Sequence, residues 1–196
     1  MDFSYLSNKL TNAITNELNY SKDKKEIIAY AIESIFLFIL GGLLLILFGY
    51  ALNALIPTII AAAFGALLRK VSGGAHFDAP LKCTVIGAIV YSSMGVIAKN
   101  LVGYDFTSKY VLLAILSVAF LFVAFLAPVD SESKPIHSTS LRFKLRISSM
   151  LFVIFTALMV VFSDNKLVSV SAVLGLFYQS ITLLPKFNKK GGEYSL

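Results

Sequence analysis

Charge is scarce in this chain: of 196 residues, 14% are Asp, Glu, Lys or Arg, while 57% are hydrophobic. Cysteine and histidine are scarcer still, one Cys and two His in all. A single Cys excludes an intramolecular disulfide. Together with His76 and His137 it also falls short of the three or four ligands that zinc takes, unless carboxylates join, so no metal site is expected. No internal repeat, Gly-rich phosphate loop or cofactor motif is present, and no cofactor is expected. The shortage of charge excludes an ordinary soluble core, because the apolar residues lie in long blocks rather than in amphipathic stripes.

Those blocks are what is present in abundance. A membrane helix needs about 20 predominantly apolar residues to cross roughly 30 Å of hydrocarbon. From Ser34 to Leu68 there is no charge at all, a run too long for one crossing and broken by Gly49, Asn53 and Pro57, which predicts a hairpin of two spans over 27–49 and 53–68. Further uncharged stretches run over 83–98, 110–129, 147–163 and 167–185. Ahead of them, Phe3, Leu6, Leu10, Ile14 and Leu18 recur every three or four positions among Ser, Asn, Thr and Lys, the pattern of an amphipathic helix suited to a membrane surface. A polar segment this long before the first block is not that of a cleaved secretory signal. The expected architecture is therefore all-α: an interfacial helix over 1–26, six transmembrane helices over 27–185, and a polar tail over 186–196.

Orientation follows from the basic residues. With six spans, the N-terminus, the 69–82 loop, the 130–146 loop and the C-terminus share one side and hold 14 of the 17 Lys and Arg. Only Lys99, Lys109 and Lys166 fall on the other. The basic side is expected to be cytoplasmic, with both termini there and the protein in the cell membrane. The net charge of +6 then calls for anionic lipid at the inner leaflet as its partner, and no nucleic acid.

One cytoplasmic loop is unusually polar: RKVSGGAHFDAPLKC, Arg69 to Cys83, which holds the sole Cys and one of the two His. Thiol and imidazole are the minimum set for nucleophilic catalysis by a thiolate, since the imidazole takes the thiol proton and later returns one to a leaving amine. On one continuous helix the seven-residue separation of His76 and Cys83 is about 10.5 Å of rise, too far for a hydrogen bond. Gly73-Gly74 frees the backbone for positive φ and Pro80 disfavours helix before it, so His76 can fold back. Asp78-Ala79-Pro80 reads as a helix start with Asp78 as N-cap, which places Cys83 near the first turn of the third span. There the positive end of the helix dipole and open backbone N–H groups would favour a thiolate and could hold an oxyanion, with Arg69 and Lys70 adding positive potential. The bland alternative is a Cys that is a small buried hydrophobe beside a solvated His.

The string Arg69-x4-Gly74-x-His76-x6-Cys83, with Gly73 beside it, resembles the signature of the accessory gene regulator B family, the AgrB-like membrane cysteine endopeptidases of Gram-positive quorum sensing. Ala127-Pro128-Val129-Asp130 followed by Lys134-Pro135-Ile136 is similar to the segment after that family's fourth span. The resemblance implies an enzyme that processes an AgrD-like propeptide. Cys83 would be the nucleophile that releases the C-terminal tail and forms an acyl-enzyme thioester, and His76 the general base and acid. An internal Cys or Ser of the substrate would then close a thiolactone or lactone ring. Arg69 and Gly74 match the family's positions, with Arg69 suited to substrate carboxylates and Gly74 to shaping the loop. A homodimer is compatible with the family and with the small-residue faces.

The third member of the site stays open at this level between Asp78, Glu33 and a backbone carbonyl. Asp78 reads more readily as the helix cap than as an orienting acid, and Glu33 sits a turn or two inside the first span, where a carboxylate is costly unless paired or protonated. Gly41-Gly42, Ala61 with Gly65, Gly87 with Gly95, and Tyr178-Gln179-Ser180 read as packing and cross-helix bonding. A small peptide transporter or permease is the competing reading, but it would place ionisable residues along a mid-membrane path, and apart from Glu33 there are almost none.

Overall fold

The computed structural model describes residues 3–15, 20–75, 79–104, 107–130, 136 and 138–188. Within them the chain forms seven α-helices and no strand: α1 (Phe3–Thr15), α2 (Lys22–Ala51), α3 (Leu55–Ser72), α4 (Pro80–Leu101), α5 (Lys109–Leu126), α6 (Thr139–Phe162) and α7 (Lys166–Ile181), then a 3-10 turn at Pro185–Phe187. Helices α2 to α6 are each long and apolar enough to cross a membrane, and α7 is apolar but shorter, at 16 residues. This is an all-α polytopic membrane protein, and its six expected spans correspond to α2 through α7.

Local chemistry explains most of the ends. The α2–α3 hairpin turns at Asn53, whose φ of 52° a short polar side chain tolerates, while Pro57 sits in the first turn of α3, where a missing N–H costs nothing. Ser138 and Asn165 cap α6 and α7 by accepting from the amides of Leu141 and Val168. At the sparsely basic end of the bundle, Lys99 donates to the Asn53 carbonyl at 2.8 Å and Lys109 to that of Val161 at 2.8 Å, covering carbonyls that the turns leave open.

The N-terminal boundary differs from the expectation. Helix α1 is described as far as Thr15, and α2 begins at Lys22 rather than at 27, so its charged first three turns precede the uncharged run from Ser34. Ser7, Thr11 and Thr15, one face at four-residue spacing, are buried against those turns, and the Ser7 hydroxyl donates to the Ala29 carbonyl. Leu10 and Ile14 face outward. The hydropathy pattern located the helix but not the face it docks with: small hydroxyl side chains let two helices approach closely, with Ser7 bonding to the partner backbone and Thr15 to the Thr11 carbonyl of its own helix, whereas Leu and Ile gain as much from lipid as from protein.

Helices α3 and α7 form the centre, flanked by α2 and α4 on one side and by α5 and α6 on the other. Gly175 of α7 lies so close to the backbone of Ala61 in α3 that a methyl group there would overlap the Ala61 carbonyl. Gly95 of α4 is in the same position against Thr58 of α3, and Gly65 of α3 receives the ring of Tyr91. Leu68, Leu116, Val123, Val153, Val173 and Leu176 fill the space between α3, α5, α6 and α7. Because α7 is enclosed by neighbours, its 16 residues need not match the full lipid thickness. Two expectations about small residues do not hold: at Gly42 and Gly87 no atom of another described element lies within 4 Å of where a side chain would start, so neither is needed for packing among the described residues. Of Tyr178, Gln179 and Ser180, Gln179 bonds across helices, whereas Ser180 donates locally to the Phe177 carbonyl.

Candidate active site

The last turn of α3 carries Arg69 and Lys70, and the helix is terminated by Gly73, whose φ of 68° and ψ of −149° only glycine adopts without strain. Gly74 follows with φ of 138°. The chain turns at the end of the helix, and three of the carbonyl groups of the turn, those of Ser72, Gly73 and Ala75, are taken up by three different elements. The Ser72 carbonyl accepts from the Val129 amide, just after α5, at 2.9 Å. The Gly73 carbonyl accepts from Nε2 of Gln179 in α7 at 2.8 Å, and from its neighbour Ser72 Oγ at 3.2 Å. The Ala75 carbonyl accepts a short hydrogen bond from Nη2 of Arg69.

Space is as restricted as the hydrogen bonding. A side chain at Gly73 would overlap the Val129 carbonyl oxygen, and one at Gly74 would start 2.7 Å from both Gln179 Nε2 and Thr182 Oγ1. The two motifs read in the sequence, around Gly73-Gly74 and around Ala127-Pro128-Val129-Asp130, therefore meet in space. Beyond Val129, Asp130 is ion-paired with Arg142, and Arg146 donates to the Ala127 carbonyl at 2.8 Å, so α6 holds the second motif as the second motif holds the first.

Helix α4 starts at Pro80, one residue after an extended Ala79 that occupies the cap position without a side-chain cap. The cap thus falls on Ala79 and not on Asp78: proline at the first helical position sets the boundary one residue later than the Asp suggested. Cys83 lies in the first turn, and its own amide makes the first helical bond, to the Ala79 carbonyl at 3.2 Å. The amides of Leu81 and Lys82 precede that bond in the first turn, where helix geometry points N–H groups outward. The thiol is half-buried, with Arg69 Nη2 3.8 Å from Sγ. One guanidinium thus joins the end of the loop, at Ala75, to the sulfur, and places a fixed positive charge where a thiolate would form.

The floor of the site is aromatic and polar. Tyr91 of α4 and Tyr178 of α7 meet edge to face with centroids 5.7 Å apart, and Gln179 and Thr182 are buried beside them in the chain. Of the residues singled out from the sequence, Arg69, Gly73, Gly74 and Cys83 come together. His76 and Asp78 lie outside the described residues, between Ala75 and Ala79, as do Ser131 to Pro135 and His137. Glu33 is elsewhere: it lines a cleft of about 330 Å³ between α1 and α2 with Ser7, Thr11, Lys22, Lys25 and Glu26, a lining that includes neither Arg69 nor Cys83. Val129, Gln179 and Thr182 were not read from the sequence as parts of this site. The local signal for Gln179 is an amide inside an uncharged span, which the sequence marks for cross-helix bonding and not for this site.

The family described as Accessory gene regulator B matches residues 7–183. This chain belongs to the accessory gene regulator B family. It is 28% identical over 195 residues to an AgrB-like protein of Clostridium perfringens (strain SM101 / Type A), covering 91% of this chain and 89% of that one. A second AgrB-like protein, from Clostridium perfringens (strain 13 / Type A), is 25% identical over the same shares. One from Lactiplantibacillus plantarum is 22% identical over 161 residues, 82% of this chain and 79% of its own. No solved structure matches the chain. Membership of the family links the chain to the accessory gene regulator system of quorum sensing, to propeptide processing, and to an AgrD-like propeptide as its general class of partner.

Proposed function

We propose that the protein is a membrane cysteine endopeptidase that removes the C-terminal tail of an AgrD-like propeptide and passes the remaining acyl group to a nucleophile within the same peptide. The single observation that carries this reading is the Cys83 thiol, half-buried in the first turn of α4, with the Arg69 guanidinium 3.8 Å from its sulfur and tied to the loop that leads into His76. A cysteine used for packing alone has no need of a cation held beside it.

In the proposed reaction His76 takes the Cys83 proton and the thiolate attacks the carbonyl carbon at the junction with the tail. The amides of Leu81 and Lys82 and the Arg69 guanidinium are the positive groups available to the developing oxyanion. The C–N bond breaks, the tail amine leaves with the proton held by His76, and a thioester to Cys83 remains. An internal thiol or hydroxyl of the peptide then gives its proton to His76 and attacks the thioester. The ring closes and Cys83 leaves as thiolate, to be reprotonated. No oxidant or metal is consumed. A nucleophile at the boundary of the hydrocarbon is shielded from bulk water, which favours ring closure over hydrolysis.

The substrate is made in the cytoplasm, so the reading requires the Cys83 end of the bundle to face it, which the 14 of 17 basic residues at that end support. Anionic lipid at that surface complements the same charge. In a Cys83→Ala background, an impermeant thiol reagent is expected to reach Lys109→Cys from outside the cell and Lys134→Cys only after permeabilisation. Labelling of both from one side would overturn this orientation.

The reaction itself is tested by mixing the purified protein in lipid with a synthetic propeptide and measuring intact masses. The expected adduct adds the mass of the propeptide minus that of the released tail to the peptide containing Cys83. Tail release with no adduct at Cys83 under rapid quench, or no tail release at all, would remove the proposal's basis.

A further inference from the structure

Gln179 stands apart among the buried polar residues of the bundle. The hydroxyls of Ser149, Thr156 and Ser171 return to carbonyls of their own helices, four residues back. Gln179 instead reaches from α7 to a carbonyl 106 residues earlier, that of Gly73, and is 0% exposed. Its Oε1 has no hydrogen-bond partner among the described residues. Placing an amide in an apolar bundle with one of its two ends unmatched is costly, and an apolar side chain of equal length would pack without that cost. What the amide contributes is direction, because it draws one particular carbonyl toward α7. Thr182, one turn on, reinforces the arrangement: its hydroxyl donates to the Gln179 carbonyl at 2.7 Å and lies against Gly74.

We infer that Gln179 is a positioning residue for the cysteine chemistry, acting on Cys83 through the Gly73–Ala75 loop and Arg69. The path is continuous on described atoms. Gln179 Nε2 holds the Gly73 carbonyl; two residues later the Ala75 carbonyl is held by Arg69; and the same Arg69 nitrogen faces Cys83 Sγ. His76 follows directly on Ala75, so the amide also sets where the segment carrying the proton acceptor begins. This assignment rests on the peptidase reading above and adds to it a residue from the last helix. It makes the seating of α7 against α3 a determinant of the rate at which Cys83 is acylated.

The test uses the full chain in lipid with Gln179→Met, which keeps length and removes the donor, and Gln179→Glu, which keeps shape and turns an oxygen toward the Gly73 carbonyl. A misplacement of about 1 Å near reacting groups lowers rates by up to roughly a hundredfold, so acylation at saturating propeptide is expected to fall by about ten- to a hundredfold. Half-saturation should stay within about twofold, because the amide touches no substrate. Amide hydrogen exchange over residues 72–75 should rise in both variants. A drop that only follows the loss of folded protein, or wild-type acylation together with wild-type exchange, would overturn the inference. Should neither variant fold, Gln179→Asn, which keeps the amide but withdraws it by one methylene, is expected to give the same pattern, and wild-type behaviour there would equally overturn it. If wild type itself forms no acyl-enzyme, the peptidase reading fails, and the exchange measurement alone decides whether Gln179 holds the loop.

Discussion

Cys83→Ala and His76→Ala are each expected to abolish tail release and ring closure while leaving the protein inserted and folded. Both residues act in one step: without the thiol there is no nucleophile, and without the imidazole there is no group to take its proton or return one to the leaving amine. Groups that act as such a unit are strongly non-additive, so either single change should cost about as much as the pair, on the order of 10⁵–10⁶ in rate where the thiolate mechanism is the main route. Cys83→Ser should be nearly as damaging, since an alcohol is far harder to deprotonate than a thiol. The measurement is the mass of the released tail and of the cyclic product over time, normalised to folded protein. Cleavage persisting in Cys83→Ala would end the cysteine-peptidase reading, and full activity in His76→Ala would require another proton acceptor.

The second large effect is expected at Gly73. With φ of 68° and ψ of −149° the residue lies where a side chain costs of order 1–3 kcal/mol in the backbone alone. A methyl group would in addition overlap the Val129 carbonyl oxygen, and such overpacking typically costs about 1–3 kcal/mol more. The cheapest relief is for the loop to lift away from Val129, since the helices on either side are held by their own contacts. Gly73→Ala should therefore lose acylation by about a hundredfold, by the same sensitivity to about 1 Å of displacement, with its helical content largely intact. Gly42→Ala is the matched control, because nothing lies within 4 Å of the added atom and activity should not change. Wild-type acylation in Gly73→Ala would mean that the loop geometry is irrelevant to the reaction.

Much of the architecture could be read in advance because hydropathy is local. An uncharged run of sufficient length becomes a helix wherever it sits, and the pattern of Lys and Arg needs no knowledge of packing. The errors fell where two neighbours compete. Proline at the first position of α4 moved the cap from Asp78 to Ala79, and the charged turns of α2 began at Lys22 because α1 pairs with them. Glu33, conspicuous as a carboxylate near a span, belongs to the α1–α2 cleft. Gly42 and Gly87 look like packing residues by type and are not, since nothing in a residue's identity tells which face of its helix meets a neighbour.

The amino-acid sequence by itself determined that this is an all-α polytopic membrane protein of the accessory gene regulator B family, and it placed Arg69, Gly73, Gly74, His76 and Cys83 within one short stretch of chain. Those properties depend on composition and spacing along the chain. Only the tertiary structure decided what holds that motif in shape. Gly175 lets α7 lie directly on Ala61 of α3, and that approach brings Gln179 within 2.8 Å of the Gly73 carbonyl, while the Val129 amide closes on Ser72 from the end of α5. Such contacts join residues 57 and 106 positions apart through the fit of one helix surface to another. No local pattern encodes that fit, because it depends on every side chain between the helices at once.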